Sequence, residues 1–439
     1  YLSGEENFAF YFGAGDKPTP DQQRWGAPKA GFYAWDKHDT RFDLQKNPNE
    51  FNRFGWVVEL DPMDPNSTPV KRTALGRAAH EGAWVGVTKD GRAVVYSGED
   101  ARFEYIYKFV SRDKIKPAGN GLTQAQANQD LLDHGVLHVA RFDANGKGQW
   151  IPMIHGQGPL TAANGFADQG EVLIKTRQAS DLLGATKMDR PEWGAVNHRN
   201  GEIYFSLTNN SAVNRSPGKV DAANPRAYMD LDGNKGMGNP NGHIIRFKEA
   251  GSTSTAKGFV WDIFLFGAEE DAGDANVSGL TAKNAFSSPD GLWFSKATGI
   301  CWIQTDDNAM TDETNCMLLA AIPGQVGDGG KVTVKNKMLV NGVEQTGTQE
   351  TFVGATLGEA KLRRFLVAPK GSEVTGITET LDGRTLFVNI QHPGELSKPL
   401  SSGQEPQSLW PGNQGYGKPG RPRSATIVIT RQDGGLIGL

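Results

Sequence analysis

The sequence predicts an all-β protein of β-propeller type, with long loop insertions and its beginning missing from view. Three observations carry this. The composition is that of a turn-rich β chain with ample core: 55 glycines, 23 prolines, 21 phenylalanines and 10 tryptophans in 439 residues, at a mean hydropathy of −0.48. Four segments, beginning at Glu81, Glu192, Asp290 and Glu373, share one plan. In each, the acid stands nine or ten positions ahead of a turn glycine (Gly91, Gly201, Gly299, Gly383) set between apolar runs. Asp-Gly, Asn-Gly or Thr-Gly in that setting signals a hairpin, because glycine reaches positive φ cheaply. Further strand-like runs follow each hairpin, and the units start roughly 80 to 110 residues apart. Each therefore reads as one four-stranded blade with insertions.

In chain order, Tyr1 opens directly in strand-like YLSGEENFAFYF, which reads as a processed protein or a fragment. FAFYFG and FGWVVELDP look like a further blade whose start is cut off. After the first hairpin come EYIYKFV (104–110) and VLHVARFD (136–143), and after the second GHIIRF (242–247) and FVWDIFLF (259–266). After the third come MLLAAIP (317–323) and KVTVKNKML (331–339), and after the fourth SATIVITR (424–431). PAGNGLTQAQANQDLL is expected to hold a short helix, and SPGKVDAANPRAYMDLDGNKGMGNPN to be a loop with little regular structure. Five blades are visible in part and a sixth is expected upstream, so residues 1–439 are read as one N-terminally truncated propeller domain. Cys301 and Cys316 fall in successive strand-like runs, as a cross-strand disulfide or as two buried thiols. A net charge of −4 offers no basic stripe to nucleic acid, and no apolar run is long enough to span a bilayer. Nothing in the surface pattern calls for an oligomer, so a monomer is expected.

A hairpin returns its second strand to the end where its first began. Asp100, Asn209, Asp306 and His392, which finish the second strands, should therefore lie near the four leading carboxylates. Arranged radially, such units gather carboxylates at one mouth of a central channel, a site for hard cations; Ca²⁺ takes about six to eight oxygen ligands. Any one of these acids alone reads as a solvated turn residue, but four in matched register point to a metal-binding mouth. Arg190 stands two residues before Glu192, with Pro191 stiffening the entry. It is either a structural ion-pair partner or, beside metal ions, a planar fork matched to two phosphate oxygens. Alternation turns His80 to the face opposite Glu81, where it reads as support or packing. His392 is open between ligand, proton donor and turn residue. DLDGNKG (230–236) has Lys235 where an EF-hand needs glycine and is read as a solvated turn. No HExxH, GxSxG or Walker sequence is present.

AAHEGAW (78–84), GEDARFEYIYKFV (98–110), DRPEWG (189–194), SSPDGLWF (287–294), RRFLVAPKGSEVTG (363–376) and LFVNIQHPGE (386–395) form an ordered series over almost the whole chain. That series resembles the PhoX family of bacterial alkaline phosphatases. The resemblance implies a six-bladed propeller whose mouth carries calcium ions and a pair of ferric ions. It implies hydrolysis of phosphomonoesters in the periplasm or outside the cell, after export by the twin-arginine route. Residue by residue, it implies that Glu81 binds iron, that Asp100 and Glu192 bind calcium, that Asp290 joins the metal cluster and that Arg190 holds the substrate phosphate. YLSGEENF looks like the family's strand ending in paired glutamates, which makes Glu6 a calcium-ligand candidate ahead of Glu5. Glu373 rests more on the repeat register. The family's iron-binding cysteine and an asparagine of its phosphate site would lie upstream of Tyr1, and neither Cys301 nor Cys316 takes the cysteine's place. If the chain is a fragment, iron and full activity are expected to depend on that upstream part; if it is complete, the cluster is expected to hold calcium alone.

The sequence thus predicts a metal-dependent phosphomonoesterase for small-molecule substrates, with Arg190 catalytic and Glu6, Glu81, Asp100, Glu192, Asp290 and Glu373 binding Ca²⁺ and Fe³⁺. Its rivals are a calcium-dependent propeller hydrolase of another class, lactonase-like, which would give Arg190 no phosphate to hold, and a non-catalytic calcium-binding propeller.

Overall fold

The computed structural model describes residues 1–210, 214–230, 236–415 and 420–439. Contacts divide the chain into two compact units. One comprises Tyr1–Phe142, Gly148–Glu192 and Glu249–Phe259, the other Asp143–Lys147, Trp193–Lys248 and Val260–Leu439. Over the whole chain strands outweigh helices, as the sequence predicts, and pair largely antiparallel, while the first unit also carries many short helices; among the described residues no sheet closes on itself.

All four predicted turns form. Gly91, Gly201, Gly299 and Gly383 have φ of 89°, 73°, 77° and 68°. Each turn is clamped by a backbone bond across its neck: Thr88 to Arg92, Asn197 to Glu202, Ser295 to Ile300 and Thr380 to Thr385, at 2.8 to 3.0 Å.

In the first unit the strands Trp84–Val87, Arg92–Gly98, Ile106–Lys114 and Gly135–Phe142 form an antiparallel meander, with pairs such as Val85 to Val95 and Tyr107 to Val139. Arg92–Gly98 is buried almost throughout, which is why RAVVYSG reads as a continuous run instead of an alternation. Val95, Tyr107, Phe109, Leu137 and Val139 share a core with Val172 and Ala179. These last two lie on the helices Gln169–Ile174 and Thr176–Leu183, which the sequence reading missed. Their signals were present: the Asp168 side chain caps the first, and Gly184 in the left-handed conformation ends the second. The short helix in the 117–132 insertion is found at Gln124–Ala127.

FAFYFG corrects the expectation of a strand: Phe8–Tyr11 is a 3-10 helix. A strand would put Phe8, Phe10 and Phe12 on one face, but Phe8 and Phe12 are buried while Phe10 is exposed. The buried pair packs with Trp25, Phe42 and Phe51 in a separate aromatic core. Leu2–Gly4 pairs with Val57–Glu59, and Val57–Glu59 with Val70–Lys71, in a three-stranded sheet.

In the second unit, Pro289–Phe294, Cys301–Thr305 and Met317–Ala321 are joined by Leu362–Val367, not by the expected 331–339 run. The reason is local. Gly330–Val340 and Val343–Val353 form their own long hairpin around Asn341-Gly342, whose residues both have positive φ. Asn-Gly between alternating strands is the strongest short-range hairpin signal. Glu373–Glu379, Thr385–Gln391 and Ala425–Thr430 make a three-stranded sheet. Cys301 and Cys316 are free, buried thiols, so no disulfide forms. In the 216–241 loop, Arg226 is buried, and its guanidinium donates to Asn239 and to the carbonyls of Gly242, Gly267 and Ala275. Residues 231–235 of DLDGNKG lie outside the described residues.

Candidate metal and phosphate site

The site in the first unit is assembled from four stretches of backbone. Residues 79–81 lie antiparallel to 98–100: His80 and Glu99 are bridge partners, the Asp100 amide donates to the Ala79 carbonyl (3.0 Å) and the Glu81 amide to the Gly98 carbonyl (3.4 Å). Alternation then turns His80 and Glu99 to one face and Glu81 and Asp100 to the other. Two glycines bring in the remaining parts. A Cβ on Gly4 would lie 2.1 Å from the His80 carbonyl oxygen, so only glycine lets the chain leading to Glu6 run this close. A Cβ on Gly98 would lie 2.6 Å from the carbonyl oxygens of both Pro191 and Glu192. That contact seats Arg190 and Glu192. The sequence reading missed both glycines, although a glycine inside a strand-like run signals close backbone approach.

Glu6, Glu81 and Asp100 come together with ligand atoms within 4.8 Å of one another. Arg190 lies at their edge, its Nε and Nη2 donating to the two Asp100 oxygens at 2.8 and 3.0 Å and its Nη2 lying 2.8 Å from Glu192. Glu6 shows the crowding: its burial, then the charges of Glu81 and Asp100, push it up to about 9 against the opposing pull of Arg190. A proton relieves the repulsion there, and a hard cation would do the same with more charge. Glu5, by contrast, is structural. Its Oε2 accepts from the amides of Gly55 and Trp56 at 3.0 Å each, and it pairs with Lys71. His80 is buried, with ring nitrogens 2.7 Å from Ser97 Oγ and 2.9 Å from the Gly76 carbonyl; burial lowers its pKa.

Asp290 and Glu373 belong to the second unit. Asp290 is buried in a bulge, where Pro289 pairs with Thr305 and Leu292 with Ile303, and the Asp306 amide donates to the Ser288 carbonyl (3.2 Å). Glu373 pairs in register with Gln391. His392 Nε2 is 3.5 Å from Glu373, and its Nδ1 is 3.7 Å from Glu395. The Glu373 contact, opposed by burial and helped by Glu395, pushes His392 up to about 9. His392 thus stands between the Glu373 and Glu395 carboxylates. The hairpin argument therefore holds for Glu81 with Asp100 and for Glu373 with His392.

Clustered hard oxygen ligands with an arginine fork at their edge equip a metal-assisted hydrolase of phosphate esters. The family described as alkaline phosphatase PhoX matches residues 1–394, and the chain belongs to it. Among solved structures the chain is similar to that of Pseudomonas fluorescens PhoX in complex with vanadate, a transition-state analogue. The TM-score is 0.78 at 40% identity, covering 100% of this chain and 68% of that one. No curated protein sequence matches the chain. The chain is an alkaline phosphatase, which sets aside the lactonase-like and non-catalytic readings.

Proposed function

We propose that the chain hydrolyses small phosphomonoesters at the Glu6, Glu81 and Asp100 cluster, with Ca²⁺ bound there and Arg190 holding the substrate phosphate. The observation that carries this is the arginine fork laid bidentately on a carboxylate of the crowded trio. The ligand set is all oxygen, which suits Ca²⁺ and hard ferric iron alike. Bound metal would neutralise phosphate oxygens and activate water for in-line attack on phosphorus. The chain's own residues do the rest. Asp100 and Glu192 hold the guanidinium at the edge of the cluster. With Asp100 taken up by a cation, the Arg190 N–H groups would be released to the substrate phosphate, where they would steady the charge on the transferring group. The vanadate complex of the Pseudomonas relative supports reading the site as one that holds such an oxyanion.

The proposal extends to Fe³⁺ at Glu81, and to Asp290 and Glu373 as further metal ligands. Cys301 and Cys316 take no part, since burial raises both thiols far above their usual range. We read the antiparallel meanders as blades of one propeller and the protein as a monomer exported by the twin-arginine route to the periplasm or beyond. No helix among the described residues is long and apolar enough to cross a membrane. The test is hydrolysis of p-nitrophenyl phosphate in alkaline buffer with Ca²⁺, then with a calcium chelator, then with Ca²⁺ restored. Loss and recovery are expected. Activity indifferent to chelation would remove calcium from the proposal.

A further inference from the structure

We propose that Glu99 is a positioning residue that sets the spacing of the Glu81 and Asp100 carboxylates, and with it the calcium affinity of the cluster. This rests on the calcium reading above. Glu99 is fully buried and faces away from the cluster, yet it is next to Asp100 in the chain and opposite His80 across the pair of strands. Its carboxylate bonds to both strands' surroundings at once. Oε1 accepts from the Ala79 amide at 3.3 Å and from Arg177 Nε at 2.6 Å, and Oε2 accepts from the Tyr107 hydroxyl at 3.0 Å. The side chain therefore grips the backbone two residues before Glu81, while its own backbone carries Asp100.

Arg177 is anchored in turn. It sits on the helix Thr176–Leu183, donates to the Arg24 carbonyl (3.1 Å) and lies over the Trp25 ring at 4.5 Å. Through Glu99, a rigid helix and a buried tyrosine thus fix the two backbone segments whose outward side chains form the cluster. Such supports matter for a cation because the partners behind a ligand fix its orientation, and losing one typically costs about 10- to 100-fold in metal affinity.

Two tyrosine variants make a matched test. Tyr107 and Tyr105 are both buried, and each donates its hydroxyl to a carboxylate: Tyr107 to Glu99, Tyr105 to Asp181 at 2.5 Å. Only Tyr107 touches Glu99 with its hydroxyl. Calcium affinity is read by titration calorimetry on the unmodified chain, Tyr107→Phe and Tyr105→Phe, alongside kcat at saturating calcium. Tyr107→Phe is expected to weaken calcium roughly tenfold with kcat at saturation nearly intact, and Tyr105→Phe to leave calcium affinity unchanged. Glu99→Gln, which keeps an acceptor for Ala79 but loses the charge facing Arg177, should weaken calcium at least as much. Equal shifts in the two tyrosine variants, or none in Tyr107→Phe, would overturn the assignment, leaving Glu99 a packing residue. A wild-type chain that binds no calcium would instead bring down the reading of the cluster itself.

Discussion

Replacing Arg190 with alanine should move turnover and calcium binding in opposite directions. Arg190 Nη2 lies 3.0 Å from Asp100 Oδ2, so with Ca–O bonds of about 2.4 Å a cation on that carboxylate sits about 5 Å from the guanidinium. A dication and a monocation at about 5 Å repel by about 1.7 kcal/mol even at the dielectric of water. Alanine removes that repulsion and frees Asp100 from its competing partner, so calcium should bind up to about tenfold tighter. The phosphate meanwhile loses a charged two-pronged donor, a loss of about 3–4 kcal/mol, or about 10²- to 10³-fold in kcat. The backbone is not a confounder, because alanine and arginine present the same Cβ at the φ of 55° found here. Calorimetric calcium titration and steady-state hydrolysis of p-nitrophenyl phosphate read the two effects separately. If calcium and turnover fall by the same factor, Arg190 is only a structural ion-pair partner and the phosphate role is wrong. Turnover within about threefold of wild type would refute it equally.

Gly98→Ala should act at the same place through sterics: its Cβ would meet two backbone carbonyl oxygens at 2.6 Å, which cannot yield as a side-chain tip would. The 190–192 segment must shift, lowering turnover by about 10²-fold, and wild-type kinetics would show that this approach does not set the site. His138 supplies a pH dependence of stability. Burial, then the Lys108 charge, pushes its pKa down to about 4 from 6.5, so the unfolded chain takes up a proton there that the folded chain refuses. Stability from this group is complete above pH 6.5 and is lost as pH falls towards 4, by about 3 kcal/mol. Urea unfolding of the wild type and His138→Gln across that range should show the slope flattening in the variant, and parallel curves would contradict it.

What was legible in the sequence was local or periodic. The four hairpins follow from glycine at the turn and apolar runs on either side, and the convergence of Glu81 with Asp100 follows from hairpin geometry alone. The Asn341-Gly342 hairpin is equally local, but chain order alone puts its strand 331–339 beside 317–321, whereas the longer hairpin pairing wins. The FAFYFG segment failed for a different reason: aromatic content suggested strand, whereas the spacing of Phe8 and Phe12 already fitted a helical turn. The rest of the site was not legible because it depends on distant partners. Gly4 matters only against His80, Gly98 only against Pro191 and Glu192, and Glu99 only against an arginine 78 positions along the chain.

Arg190, Ser288 and His392 all have positive φ, at 55°, 47° and 39°, and each lies within two residues of a candidate ligand or in contact with one. Left-handed backbone at a non-glycine residue costs of order 1 kcal/mol, and Arg190 also precedes a proline, which narrows its options further. Glycine would relieve all of that cost, as it does at the four hairpin turns of the same chain. At position 190 glycine would leave the turn intact and remove the guanidinium that spans Asp100 and Glu192. Arginine at a place that favours glycine fits the proposed role of its side chain in holding the phosphate, which glycine could not fill.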